Sequence, residues 1–599
     1  MKSNSNPKTF RFSFPSRDVE SFRVFCKQLD RFKNYGRVCV EISGVSGPAR
    51  FEMPPGGSGW HEYASYNSSF CKYFPHPKIA KHLPADWVKK NRDLLLAKAK
   101  IVRDAGFTAS FSGHEPCFLP ESFFKEFPHL RGPRIDHPRR GRHEEFAPCV
   151  DLDETLAMYE WMACEFKRNV PELEHLSFTA NDAGSGLCWA ANQYPGPNGP
   201  RHCQRKSVGP RVSGFLEAIA RGAEKGGGAV EVCIGNFGLP PKENELIAPF
   251  LAKGWRKGVP PGKGIGVPTL FGNNYPVLGL IDPVAILEAM EPYSQPDLTT
   301  VSCSFGTMYR RTIADRLDAC YKVMEIVEDV IREPVSGYFS RLERLRRLAR
   351  EWAGEAKADA VAEAFLAIHD AFCLRQAVAP EYSVYYNGLS MRYLTRPLVI
   401  KPDLLTPEEE AYFLPYVFNI HLNEARMDYI DLHGGRIDRV EIVDPFRAML
   451  AKIRDAAKVL EEAADTPERE WLKRLAVSWR LWTSIMRSCH NFFFGQQIRD
   501  RNKDVLAGEP RIPSKVGTST GHPDILPWNE LMRDEFDNTQ ETLALLEGGG
   551  QDLVFRAASA EEEDTFLLGP DLTGALKKKC EIMRAHWLDV EKYLATPYK

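Results

Sequence analysis

The residues best suited to chemistry are polar side chains at the ends of β-type runs. They gather around one stretch, His175 to Pro200 (HLSFTANDAGSGLCWAANQYPGPNGP). It opens as a short strand, Leu176 to Asn181, with Leu176, Phe178 and Ala180 on one side and Ser177, Thr179 and Asn181 on the other. Asp182 follows as that strand ends, where a carboxyl can reach a cleft without being trapped in a core. The competing role for Asp182 is a helix N-cap, which Asp favours. Trp189 and Tyr194, set among Gly-Pro turns, suit a loop that forms a fixed wall beside a ligand. Other run ends offer His114 with Glu115, Asn236, and Asn273 with Asn274, and an early insert adds Trp60, Tyr63, Tyr66 and Asn67. Directed polar groups beside aromatic faces are what a sugar requires, because its hydroxyls need aimed hydrogen bonds and its C–H face packs on a ring. Arg201, His202 and Arg205 follow the GPNGP turn. They are placed either to pair with a uronate carboxylate through the planar guanidinium fork or to form a solvated basic loop.

The elements that must position these residues alternate. Thr9 to Phe14 reads as a strand, Asp18 to Tyr35 as a helix with Phe22, Phe25, Leu29 and Phe32 on one face, and Arg37 to Ser43 as a second strand. That is a βαβ unit with parallel strands. After an irregular insert, Gly44 to Pro77, come a helix over Pro84 to Ala105 stopped at Gly106, and a strand over Thr108 to His114. A helix over Asp153 to Arg168 precedes the strand at Leu176, and a helix over Ser207 to Lys225 precedes one at Val230 to Asn236. Val267 to Gly272 and Thr300 to Phe305 are weaker sixth and seventh strands, with Pro283 to Met290 helical between them, and Tyr275 to Leu280 is a possible eighth. GKGIGVP at 262 to 268 reads as a turn. Such alternation indicates a parallel α/β domain, a barrel or a doubly wound sheet, in which ligands bind at the carboxyl ends of the strands.

Beyond about Met308 nearly every segment reads as helix: Ala314 to Arg332, Phe339 to Trp352, Ala358 to Phe372, Pro445 to Ala463, Glu468 to Phe494, Glu535 to Leu546 and Leu572 to Leu594. The expected fold is therefore a (β/α)8 TIM-like barrel over 1–310, a helical domain over 311–520 and a helical tail over 521–599. No period of 20 to 50 residues repeats, which argues against a solenoid. The helical region has amphipathic faces enough to make a homo-oligomer interface.

Composition bounds the partners. At 599 residues, 43 % hydrophobic and 26 % charged, the chain is globular and large enough for two or three domains. A formal net charge of −2 gives no global reason to expect nucleic acid or an anionic membrane. The 14 cysteines form no CxxC pair and no zinc-like spacing with histidine, which suits a reducing compartment. His61, His114 and His433 lack HxH or HExxH spacing, so neither a metal nor a cofactor is expected. No run reaches the roughly 18 apolar residues of a membrane span, and MKSNSNPKTFRF has no apolar leader. The expected location is cytoplasmic, or secreted or periplasmic with a leader already removed.

A strand ending in Asn followed by an acid resembles the retaining sugar hydrolases that carry an Asn-Glu pair at the end of the fourth barrel strand. The loop NDAGSG…YPGPNGP is similar to that of the microbial α-glucuronidases, and the first strand, helix and strand resemble barrels of the α-glucuronidase and β-hexosaminidase kind. The resemblance covers about residues 1 to 310. It implies that Asp182 is the general acid protonating a leaving oxygen and that Asn181 holds a sugar hydroxyl or acetamido group. Here Asp stands where those families usually carry Glu. No second carboxylate stands at the end of the seventh strand, where Ser304-Phe305-Gly306-Thr307 is found instead. Glycoside cleavage ordinarily uses two carboxyls. The partner of Asp182 is expected first in Glu115, then Asp282 and Glu62, with Glu231 too early in its strand and an N-acetyl group of the substrate as another route. His114, Trp189, Tyr194, Arg201, His202, Arg205, Asn236, Asn273 and Tyr66 are the expected substrate contacts. The expected activity is exo-acting removal of a terminal sugar from a carbohydrate or glycoconjugate. A non-catalytic carbohydrate-binding barrel and a sugar isomerase or lyase are the alternatives.

Overall fold

The computed structural model describes residues 8–46, 67–135, 144–179, 186–187, 206–235, 263–269, 277–305, 317–378, 391–413, 444–511, 519–556 and 568–597. The chain divides into two compact units, one formed by Met1–Gly272, Ala289–Leu317 and Met324–Pro334, the other by Asn273–Glu288, Asp318–Val323 and Val335–Lys599.

The first unit is built on a parallel sheet. Its strands are β1 (Thr9–Ser13), β2 (Arg37–Glu41), β3 (Thr108–His114), β6 (Leu173–Thr179), β7 (Glu231–Gly235), β8 (Lys263–Val267) and β9 (Leu298–Ser304). They lie in the order β7-β6-β3-β2-β1-β9-β8. A small antiparallel pair, β4 (Arg131–Arg134) with β5 (Phe146–Pro148), sits in the connection after β3 and has no counterpart in the strand signals above. The long helices between strands are α1 (Val19–Gln28), α2 (Ala85–Asp104), α3 (Asp153–Asn169) and α4 (Val208–Gly226).

Strand alternation sorts the two faces. Phe10, Phe12, Val38, Val40, Phe111, Leu176, Phe178, Val232 and Val301 are buried on the face that meets the helices. There Phe111 lies 4.9 Å from Phe166 of α3, and Phe70 lies 5.3 Å from Phe178, ring centroid to ring centroid. Each such ring contributes roughly 1.5–3 kcal/mol on leaving water. The opposite face is polar. Cα partners run Ser13, Glu41, Ser110, His175, Glu231 across β1, β2, β3, β6 and β7, and Ser13 pairs with Ser304 of β9 on its other side.

The sheet is strongly curled. Four strand steps separate β1 from β7, about 19 Å in a flat sheet. Yet Arg11 of β1 donates to Glu231 of β7 at 3.0 Å and lies 3.2 Å from His175 of β6. Only a sheet rolled with its polar face inward brings those side chains together. The free edges of β7 and β8 are separated in sequence by residues 236–262, which lie outside the described residues. Among the described residues the sheet is thus a seven-stranded open roll, and the eighth strand expected at Tyr275 to Leu280 is not part of it. Val277 instead forms an isolated antiparallel bridge with Val554, and Leu278 donates to Leu553, both in the second unit. The run 262 to 268, read above as a turn, supplies β8, because glycine alternates with Ile265 and Val267 and leaves only half of a strand's usual pattern visible.

The second unit is helical. It contains α7 (Gly337–Ala353), α8 (Ala358–Val378), α9 (Asp444–Ala463), α10 (Glu470–Arg501), α11 (Ile525–Glu547), α12 (Leu572–Ala585) and α13 (Asp589–Leu594), while α5 (Pro283–Met290) and α6 (Leu317–Arg332) are shared in sequence by both units. One core holds Leu398, Ile400, Phe492, Trp528, Met532, Ile582 and Leu594 together, and Ser519–Thr520 pairs with Thr596–Pro597. Residues on both sides of position 520 therefore belong to one packed body. No helix among the described residues is long and apolar enough to cross a membrane.

Candidate active site

The carboxyl ends of the curled strands define the rim where chemistry is expected. Ser13, Glu41, His114, Thr179 and Ser304 close β1, β2, β3, β6 and β9 there. His114 is half-buried and is the Cα partner of Thr179, the last described residue before Asn181 and Asp182.

Glu115 follows His114 across the rim and is 1 % exposed. Its Oε1 accepts from the Phe70 amide at 2.7 Å, and its Oε2 accepts from the Cys117 amide at 3.1 Å and the Tyr159 hydroxyl at 3.0 Å. Burial pushes this carboxyl up to about 7, against the pull of those three donors and of Lys72. The three donors occupy both oxygens, so in this conformation the carboxyl offers a substrate no free face. That differs from the role of second catalytic carboxylate expected from sequence. Exposure of the carboxyl could not be read from position alone, because the donors come from residues 45 before and 44 after it.

The backbone around Glu115 has a second feature. Its amide donates to the Thr179 carbonyl at 3.1 Å, and the Gly186 amide donates to the Pro116 carbonyl at 3.1 Å. Both described residues flanking 180–185 are thereby tied to the Glu115-Pro116 dipeptide. Close passage at this rim also requires Gly113, where a Cβ would stand 2.8 Å from the Ser68 carbonyl oxygen.

Deeper in the roll, Arg11, His175, Glu231 and Cys233 form a charged network on the polar face. His175 Nδ1 is 3.5 Å from Glu231 Oε2, an ion-pair separation rather than a well-formed hydrogen bond, and Cys233 Sγ is 3.6 Å from His175 Nε2. Burial is the largest single effect on the Cys233 thiol and raises it, but the bond to His175, the charge of that ring and a bond to Ser177 together outweigh it and the pKa is lowered. Burial likewise opposes the charged form of His175, yet Cys233 and Glu231 together raise it. Among the described residues no group of three His, Cys, Asp or Glu side chains is arranged to hold a metal ion.

Of the residues expected at the site, His114 and Glu115 are described and lie side by side at the rim. Asp182, Asn181, Trp189, Tyr194, Arg201, His202, Arg205, Asn236, Asn273 and Tyr66 lie outside the described residues, as does Glu62. Asp282 belongs to the second unit, where it caps α5 through the Ala285 amide at 3.1 Å and accepts from His369 at 3.0 Å. Glu41 is the carboxylate that sequence reading passed over. In RVCVEIS the apolar Val38, Val40 and Ile42 alternate with Cys39, Glu41 and Ser43, a signal that already put Glu41 on the inner face at a strand end. Its carboxylate accepts from the Ser43 hydroxyl.

No protein-family model and no curated protein matches this sequence. Among solved structures, a GH138 enzyme targeting pectin rhamnogalacturonan II aligns with 97 % of this chain and 84 % of its own, at a TM-score of 0.50 and 10 % identity. A tandem GH20 catalytic module of the pneumococcal exo-β-D-N-acetylglucosaminidase StrH covers 58 % of this chain and 92 % of its own, at a TM-score of 0.32 and 10 % identity. A GH36 α-galactosidase from Geobacillus stearothermophilus covers 55 % of this chain and 42 % of its own, at a TM-score of 0.26 and 11 % identity. The first of these is a likeness of fold over nearly the whole chain.

Proposed function

We propose that the protein is a glycoside hydrolase that removes a terminal sugar from a carbohydrate or glycoconjugate. The observation that carries the reading is the fold shared along 97 % of the chain with a GH138 enzyme that targets a pectin polysaccharide. A curled parallel sheet with a polar, carboxylate-bearing inner face supports it, since enzymes of this architecture work at the carboxyl ends of their strands.

In this reading Asp182 is the general acid and donates its proton to the leaving glycosidic oxygen, while Asn181 holds a neighbouring hydroxyl. Glu115 acts as a positioning residue: its carboxyl locks residues 115 to 117, whose backbone ties down both ends of the segment that carries Asp182. The carboxylate that completes the reaction is sought on the inner face, with Glu41 at a strand end the first choice. A general acid contributes about 10²- to 10⁴-fold to rate. Aryl glycosides, including uronides and N-acetylhexosaminides, should be turned over by the wild type, and Asp182→Asn should lose at least about 100-fold in kcat with binding kept. An unchanged kcat in Asp182→Asn would reassign the acid. Saturable binding of sugars with no turnover by the wild type would favour a carbohydrate-binding barrel, a reading that the occupied oxygens of Glu115 also favour.

A further inference from the structure

Within the helical unit, α9, α10 and α11 enclose a cleft of two adjoining lobes, about 530 and 410 Å³ in volume, which share Leu450, Arg454 and Arg487 as walls. We propose that this cleft binds an acidic saccharide, a sugar bearing a carboxylate. The site is separate from the rim discussed above and does not depend on the reading of Asp182.

The cations of the cleft fall into two sets, and Lys458 of α9, 3.9 Å from Glu462, belongs to the committed one. Those of α10 are committed: Arg480 is 3.2 Å from Glu461, and Arg487 forms a two-pronged bond with Asp534 at 2.7 and 3.0 Å and reaches Glu541 at 3.1 Å. On α9, Arg447 and Arg454 stand seven residues apart, two turns along the same helix face, and both are exposed. Among the described residues no carboxylate lies within ion-pair distance of either one. Two guanidinium groups are therefore left on the wall of a formed cleft, and a planar carboxylate is what their fork geometry matches.

The α11 wall asks for the opposite. Asn538 is 1 % exposed and lines the larger lobe. Its Nδ2 donates to the Ser484 carbonyl and to Ser488 Oγ, both at 2.9 Å, which fixes the amide's orientation. Its Oδ1 accepts from no donor among the described residues. Buried acceptors without donors are costly and rare. Glu530 adds a second acceptor in the smaller lobe, and Phe494 adds an aromatic surface. An inorganic phosphate would satisfy the arginines but bring no ring face to Phe494 and no set of hydroxyl donors to α11, and a nucleic acid backbone, charged at every step, would meet Glu530 with like charge. A neutral sugar would supply hydroxyl donors and leave both guanidinium groups without an anion. A saccharide acid brings the carboxylate to α9 and hydroxyl donors to α11, and its ring face can rest on Phe494.

The test is calorimetric titration of the full chain with a uronic-acid disaccharide and with its neutral counterpart. The acid should bind with Kd of about 1 mM or tighter and the neutral sugar at least tenfold more weakly. Arg454→Ala should weaken the acid at least tenfold, Asn538→Ala by a smaller factor, and Asp182→Asn not at all. Arg454 is exposed and makes no ion pair, so its variant should fold, which circular dichroism checks. Absence of saturable heat, equal binding of the two sugars, or full binding by Arg454→Ala would each overturn the proposal.

Discussion

Glu115 is a carboxyl whose charge is opposed by burial and favoured by three donors, and burial is the larger effect. Its ordinary value of 4.5 is pushed up to about 7 in the folded chain. Because the folded state holds the proton more tightly than the unfolded one, the stability associated with it is fully present below about pH 4.5 and is lost as pH rises through about 7. A difference of this size corresponds to about 3 kcal/mol. Glu115→Gln should therefore flatten the fall in stability between pH 5 and 7.5 measured by urea unfolding. It should also lower stability at pH 7.5 by about 1–3 kcal/mol, because the amide NH2 must face a backbone N–H or the Tyr159 hydroxyl, all of them donors to the wild-type carboxylate. If the variant kept the wild-type slope, the titrating group would be another one. The same donors explain why position alone misjudged this residue. A strand-end acid in the sequence looks available to a ligand, and only the folded neighbours Phe70 and Tyr159 reveal that its oxygens are occupied.

Elements in this chain are placed by small residues as much as by apolar ones. Helices α3 and α4 lie so close that a Cβ on Gly222 would stand 2.1 Å from the Glu160 carbonyl oxygen, and one on Gly226 would stand 2.4 Å from that of Cys164. Gly222→Ala should raise intrinsic helix propensity yet destabilise the protein by about 1–3 kcal/mol, since the helices must part to admit the methyl. A rise in thermal midpoint for that variant would show that the close approach is not needed. Glycine also limits what a sequence discloses. The strands whose apolar residues alternate with polar ones, β1, β2, β3 and β6, are readable from pattern, and α2, α3, α4 and α9 from helical spacing with a stop at Gly106 or Gly226 to Gly228. The β8 strand hides because Gly264 and Gly266 leave its inner face blank, and α11 starts ten residues before its apolar stripe suggests, at Ile525. Curling of the sheet is not legible from any local pattern. It shows only in the pairing of Arg11 with Glu231, residues 220 apart that meet across the polar face.

At the scale of the whole chain, the helical half is held together by an ion pair as well as by its apolar core. Lys579 of α12 and Glu535 of α11 are in contact, with side chains 0 % and 3 % exposed. Ser488 and Asn491 of α10 donate to the same carboxylate at 2.7 and 2.8 Å, and Lys579 also donates to the Leu394 carbonyl at 2.8 Å. Segments from 394 to 579 thus converge on one buried carboxylate. Removing two charges from water offsets most of their attraction, so the pair adds little net stability over an apolar replacement, but breaking it is costly. Lys579→Met should lower the unfolding free energy by about 3–5 kcal/mol, because it strands Glu535 without its cation. The double variant Lys579→Met, Glu535→Leu should recover much of that loss, though Ser488 then loses its acceptor and Asn491 keeps only Asp534, at 2.7 Å. The measurement is denaturant unfolding of all three chains under identical salt. If the double variant were as unstable as Lys579→Met, desolvation of the stranded carboxylate would not be the dominant cost, and the polar network itself would be what joins α10, α11 and α12.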